Sequence, residues 1–138
     1  MNIVLDTNVF VSGIFFSGPP SDILKAWGKG KIQIILSQGI LDEYHRVAHE
    51  LSVKFPSIDI APIIEFVTIH GTFVDTQDVE ISVCEDPDDD KFIECAVAGD
   101  CKIIVSGDKH LLKLTGYKGI TVLSPRAFKE SYIFHSKF

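Results

Sequence analysis

Five short apolar runs punctuate the chain, at Asn2–Leu5, Lys31–Leu36, Thr72–Val74, Lys102–Val105 and Gly119–Leu123, and stretches with helical spacing lie between them. Runs that are apolar throughout, instead of alternating, suit strands covered on both faces. Strands that alternate with helices suit a parallel sheet flanked by those helices. The helical stretches read as follows. A short turn covers Val9–Gly13. A Gly18-Pro19-Pro20 loop then leads to Ser21, which caps a helix over Asp22–Gly28. Ser37 caps a longer helix whose apolar face is Ile40, Leu41, Tyr44, Val47, Ala48 and Leu51, with Glu43 near its edge. Ser57–His70 carries a stripe of Ile60, Ile63, Ile64 and Val67. Asp88–Ala98 turns Phe92, Ile93, Ala96 and Val97 inward, and shorter helices follow at Lys109–Leu114 and from Pro125. Asp75–Asp86 is polar and irregular.

At 138 residues, 46% of them hydrophobic, the chain is one self-sufficient domain over residues 1–138. No apolar run approaches the roughly 20 residues of a membrane helix. The opening Met1–Asp6 lacks the basic region of a signal peptide, so the expected location is the cytoplasm. Cys84, Cys95 and Cys101 form no Cys-x-x-Cys unit and cannot all pair with one another, so idle thiols are expected.

The net charge of −6 conceals an uneven distribution. Residues 1–100 hold 17 acids and 6 bases, whereas residues 101–138 hold 2 acids and 7 bases. Asp75–Asp100 contains ten acids against the single base Lys91. Such an acidic stretch invites cations, and the basic tail suits phosphates.

In open α/β sheets, sites form outside the carboxyl ends of the strands. Asp6 directly follows the first strand, and Asp108 follows the fourth after Ser106-Gly107. Asp88, Asp89 and Asp90 open the helix that feeds the fourth strand, and Glu43 lies in the first two turns of the helix after the second. With the strands parallel, acids from four segments can meet in one cleft. Each alone has an ordinary structural reading: a turn cap for Asp6, a helix cap for Asp108, a solvated residue for Glu43, dipole partners for the acid run. Together they repel one another, and a bound cation relieves that repulsion. Hard divalent ions take oxygen ligands and leave room for a phosphate, which makes phosphodiester hydrolysis the natural reaction.

Leu5-Asp6-Thr7-Asn8-Val9, Glu43, Asp86-Pro87-Asp88-Asp89-Asp90-Lys91-Phe92 with Ala96, and Val105-Ser106-Gly107-Asp108-Lys109 with Leu111-Leu112 together resemble a PIN domain. The likeness runs from Asn2 to about Pro125, and the nearest subgroup resembles the toxins of bacterial and archaeal toxin–antitoxin modules. It implies a three-layer α/β/α fold on a five-stranded parallel sheet, a Mg²⁺- or Mn²⁺-dependent ribonuclease, a homodimer and, for a toxin, a cognate antitoxin. Carried over by position, Asp6, Glu43, Asp90 and Asp108 are the metal-binding acids, with Asp89 the alternative to Asp90. Ser106 stands where these domains have a small hydroxyl residue, and Thr7 and Asn8 follow the first acid, placed to support the ligands. Asn8 and Ser106 are expected to fix the ligands by hydrogen bonds. Lys91 and Lys109 are candidates for contact with substrate phosphate.

Other readings are open to the same residues. An aspartyl-phosphate phosphatase would also open on a strand-end Asp, but its second acid two residues on is here Asn8. A phosphate-accepting receiver would use Asp75 after the third strand, with Lys109 or Lys113 late in the chain, and would leave Glu43 and the acid run without a role. His45 and His49, four apart on one helix, lack the Glu of H-E-x-x-H and a third ligand, so a zinc site is not expected. His70, His110 and His135 show no partner in the sequence. Gly28-Lys29-Gly30-Lys31 reads as a turn, not a phosphate loop, and Trp27 and the ten Phe read as core. A non-catalytic binding module with the same fold is the last alternative.

Overall fold

The computed structural model describes residues 1–133, so His135 and the last basic residue, Lys137, lie outside the described residues. The strands are β1 (Asn2–Leu5), β2 (Gln33–Leu36), β3 (Thr72–Phe73), β4 (Ile103–Val105) and β5 (Thr121–Leu123). The helices are α1 (Thr7–Phe15), α2 (Pro19–Gly28), α3 (Gln38–Lys54), α4 (Ala61–His70), α5 (Asp90–Ala98), α6 (Lys109–Leu112) and α7 (Pro125–Phe128). The strands form one sheet in the order β3-β2-β1-β4-β5, and each neighbouring pair is parallel. Ile3, Val4 and Leu5 in β1 and Ile34 and Leu36 in β2 are completely buried, as runs without polar alternation require.

The chain steps outward from β1 to β2 and β3, then crosses back over β1 to β4 and continues to β5. Right-handed crossovers place α1–α4 on one face and α5 and α6 on the other, which gives the three-layer α/β/α arrangement. Accordingly α1 packs on α2 and α3, while α5 lies over β1, β2 and β4. The strand order reverses between β1 and β4, where Leu5 is in register with Val105. The crevice at their carboxyl ends is therefore the switch point of the sheet.

Several element boundaries differ from those read in the sequence. The segment from Thr7 to Phe15 is helical throughout, because Val9, Phe10, Val11 and Phe15 gain a buried face. A Cβ on Gly13 would lie 2.7 Å from Leu24 Cδ1 and 2.8 Å from the Pro20 carbonyl oxygen, so glycine there lets α1 and α2 close together. Pro19 and Pro20 are not loop but the first turn of α2, where a missing N–H leaves no bond unmade. Gly18, at φ +123°, takes the place expected for Ser21 as the residue ahead of the helix. The helix expected from Ser57 begins at Ala61, whose N–H bonds the Asp59 carboxylate at 3.0 Å. Pro87–Asp89 forms a separate 3₁₀ turn ahead of α5, capped by Asp86, whose Oδ1 accepts the Asp88 N–H at 3.0 Å. Ser37 caps α3 as expected, at 3.4 Å from the Ile40 nitrogen.

Candidate active site

Asp6 sits at the switch point. Its N–H bonds the Val105 carbonyl at 3.0 Å, which extends the β1–β4 ladder by one step, and the chain then turns directly into α1. Its side chain is only 6% exposed. Ser106, fully buried after β4, donates its hydroxyl to Asp6 Oδ2 at 2.6 Å and accepts the Asp108 N–H at 3.0 Å. One serine thus ties the first acid to the last. Burial raises the Asp6 pKa, and the Ser106 hydroxyl and Asn8 amide offset part of that rise. The charges of Asp108 and Glu43 raise it further, so these acids share one electrostatic environment. Asp108 is also the cap of α6: its Oδ1 accepts the His110 N–H at 3.0 Å.

Glu43 reaches the same place from α3. Tyr44, fully buried, donates its hydroxyl to the Leu5 carbonyl at 2.6 Å and stacks on Phe10 with centroids 4.1 Å apart. That anchor fixes α3 against the end of β1, one residue before Asp6. Beside it, the buried Thr7 hydroxyl donates to Glu43 Oε1, and the Lys91 ammonium pairs with Glu43 Oε2. Lys91 also bonds Asp88 Oδ2 at 2.9 Å.

The acid run divides into three environments. Asp88 is largely exposed and its pKa is lowered, chiefly by the Lys91 hydrogen bond. Asp90, the metal acid favoured from sequence, is bonded to the loop before it. Its Oδ1 accepts the N–H groups of Val83 and Cys84 at 3.1 and 3.0 Å and fastens the preceding loop to α5. Burial pushes its pKa up, but these bonds more than offset the push. Asp89 is the acid of the run that feels the charges of both Asp6 and Asp108. Its pKa is pushed up to about 6, first by burial and then by the charges of Asp6, Asp86, Asp108 and Asp88. Among the described residues its carboxylate accepts no hydrogen bond.

Two further residues of the expected set lie at the rim. Asn8 is exposed and, with Ser12, Pro20, Gly107, Asp108 and Pro125, lines a recess of about 380 Å³ beside the acids. Lys109 is exposed next to Asp108. Sequence reasoning placed Tyr44 only in the core stripe, and nothing local in the sequence marks its hydroxyl as the brace for Leu5. His110, which showed no partner in the sequence, pairs through Nδ1 with Glu85 Oε2 at 2.8 Å.

Among the described residues no three carboxylate, imidazole or thiol groups stand ready to hold one ion between them. The donors nonetheless fit Mg²⁺ or Mn²⁺. They are hard oxygens, the charges of Asp108 and Glu43 raise the Asp6 pKa and those of Asp6 and Asp108 raise that of Asp89, and Mg²⁺ needs only one or two carboxylates when water fills its remaining positions. The other chemistries find less. Asp75 is exposed, caps its own turn at Gln77, and follows the edge strand β3, two strands from Asp6. His45 and His49 only stack on each other, with centroids 6.1 Å apart. Trp27 is 3% exposed and packs edge-on to Phe66 in the core. The three cysteines are free thiols, and no helix among the described residues is long and apolar enough to cross a membrane.

Comparison with known proteins identifies the family of the chain. An uncharacterized protein of Methanocaldococcus jannaschii is 30% identical over 117 residues, covering 83% of this chain and 75% of its own length. No solved structure matches. The family model of the PIN domain matches residues 2–110, which takes in Asp6, Glu43, the acid run and Asp108. Family model, strand order and convergent acids agree, and the chain belongs to the PIN domain family, whose members are in general nucleases.

Proposed function

We propose that the chain is a Mg²⁺- or Mn²⁺-dependent endoribonuclease that uses Asp6, Asp89 and Asp108 as its metal-binding acids. The carrying observation is that these three acids, from β1, from the turn before α5 and from the end of β4, share one field in which the pKa values of Asp6 and Asp89 are raised. Among the described residues none of the three has an ion-pair partner. Asp89 replaces Asp90 in this reading because Asp90 is engaged by two loop amides. Glu43 completes the wall of the cleft through the Thr7 hydroxyl and Lys91.

A bound divalent ion would supply an activated water and a counter-charge for the departing oxygen. The protein's own part is to hold the acids still. Ser106 fixes one oxygen of Asp6, and the α6 cap fixes one oxygen of Asp108. The recess at Asn8 and Gly107 gives a nucleotide room next to Asp108, and exposed Lys109 can meet a phosphate there. Cleavage of a labelled RNA in Mn²⁺, in EDTA and with Asp6→Asn tests the proposal. Wild type is expected to cut only with the ion, and Asp6→Asn to stay folded and inactive. Cutting in EDTA, or an active Asp6→Asn, refutes it.

The finer reading includes a toxin role, an antitoxin partner and a homodimer. Its support is the resemblance of the motif set to that subgroup. Growth arrest on induced expression, relieved by Asp6→Asn, tests the toxin role, and light scattering tests the dimer.

A further inference from the structure

The cleft has two unlike halves. On one side, Glu43 is saturated by the chain itself, with Thr7 Oγ1 on Oε1 and Lys91 Nζ on Oε2. The Lys91 and Glu43 side chains are only 19% and 15% exposed, so this pair sits inside the wall of the cleft and is not a surface contact. Lys91 is held from a second direction by Asp88 at 2.9 Å, and its ammonium lies 5.5 Å from the centre of the Phe92 ring. On the other side, the hydrogen bonds that Asp6 and Asp108 accept come from a hydroxyl and backbone amides, and Asp89 accepts none; no side-chain cation pairs with any of the three among the described residues.

A divalent ion seated on Glu43 would have to displace both donors and lie against a fixed positive charge. One seated among Asp6, Asp89 and Asp108 would meet only negative charge and dipoles. We propose that Lys91 is a resident cation that takes the place of a second divalent ion on Glu43, so that each chain binds a single Mg²⁺ or Mn²⁺, on the side of Asp6, Asp89 and Asp108, through one or two of these carboxylates directly and through water to the rest. This rests on the metal-dependent reading above and goes beyond it by fixing the number of ions and the half of the cleft that holds them. Lys91 is then a positioning residue. It holds Glu43 toward the cleft without spending an ion, and its four-carbon stem is anchored on α5 next to Asp89.

The test is the Mn²⁺ count per full-length chain, read by calorimetric titration and by the electron paramagnetic resonance signal of free Mn²⁺. Wild type is expected to bind one ion, Lys91→Arg one, and Lys91→Met two, the second on the vacated Glu43. Two ions on wild type overturn the proposal, and so does a Lys91→Met chain that still binds one with unchanged affinity. Glu43→Gln keeps the proposal falsifiable should Lys91→Met fail to fold. It is expected to hold its single Mn²⁺ within about threefold of wild type, and loss of binding in that variant overturns the assignment. No Mn²⁺ on wild type at all, together with no cleavage, is a separate result that removes the metal-dependent reading itself.

Discussion

Replacing Asp89 with Asn is expected to stabilise the metal-free protein while removing its ability to hold an ion. The Asp89 carboxyl is raised from 3.8 to about 6. At about 1.36 kcal/mol per pKa unit, its ionised form costs the fold about 3 kcal/mol relative to the unfolded chain at neutral pH. Asp89 is half-buried, so solvent screening reduces this to about 1–2 kcal/mol. Asn keeps the shape and removes the charge. The sign follows from the folded pKa lying above the unfolded one: as pH rises from about 4 to about 6, the unfolded chain releases its proton first and wild type loses stability. Urea denaturation in EDTA should give coincident curves for wild type and Asp89→Asn at pH 4, with the variant ahead by about 1–2 kcal/mol above pH 7. Asp90→Asn should do the reverse. The Asp90 pKa is lowered because the Cys84 and Val83 amides outweigh burial, so its contribution is present above the unfolded pKa and is lost as pH falls. That variant should lose about 1–2 kcal/mol at pH 7 and still gain thermal stability from Mn²⁺. A gain for Asp89→Asn that persists at pH 4, or loss of the Mn²⁺ response in Asp90→Asn but not in Asp89→Asn, refutes the division of labour between these neighbours.

Three further outcomes are expected. Ser106→Ala removes the 2.6 Å bond to Asp6 and should weaken Mn²⁺ binding or cleavage by about 10–100-fold, with the far-ultraviolet spectrum unchanged. Tyr44→Phe leaves the Leu5 carbonyl without its buried donor and should cost about 1–2 kcal/mol in chemical denaturation. Mn²⁺ affinity, followed by titration from pH 7.5 downward, should begin to fall near pH 6, by about tenfold per pH unit for each proton the ion must displace, because Asp6 and Asp89 both carry raised pKa values.

The strands were legible because burial on both faces leaves an apolar run with no alternation, and Asp6 and Asp108 were legible because they stand where such runs end. The start of α2 was not. A Pro-Pro pair reads as loop, yet the first helical turn tolerates it because no N–H bond is lost there. The choice within Asp88-Asp89-Asp90 was hidden for a related reason. Successive helical residues point about 100° apart, and a 3₁₀ turn over Pro87–Asp89 changes that phase before α5 begins. Counting back from Phe92 and Ile93 with α-helical geometry therefore selects Asp90, whereas the proposed assignment takes Asp89, the last residue of the turn. The Tyr44–Leu5 and Lys91–Glu43 contacts span 39 and 48 positions. Each is a product of the finished packing, and no local pattern encodes it.

Six acids in and beside the cleft are held in three ways. Asp88 and Glu43 are answered by an ammonium, and Asp86 and Asp90 by backbone amides. Among the described residues Asp6, although 6% exposed, has only a hydroxyl and an amide against two nearby negative charges, and Asp89 accepts no hydrogen bond. Folding alone gives no return for that choice. Asn at position 6 could accept the same Ser106 hydrogen bond at 2.6 Å without bringing a charge into a buried, acid-lined crevice. On the proposed reading, an acid kept where the neutral isostere would be more stable is a cost borne in the metal-free protein and recovered when a cation binds. Asp6, which meets no side-chain cation among the described residues, directly follows β1 at the reversal of strand order, where sites form in open α/β sheets.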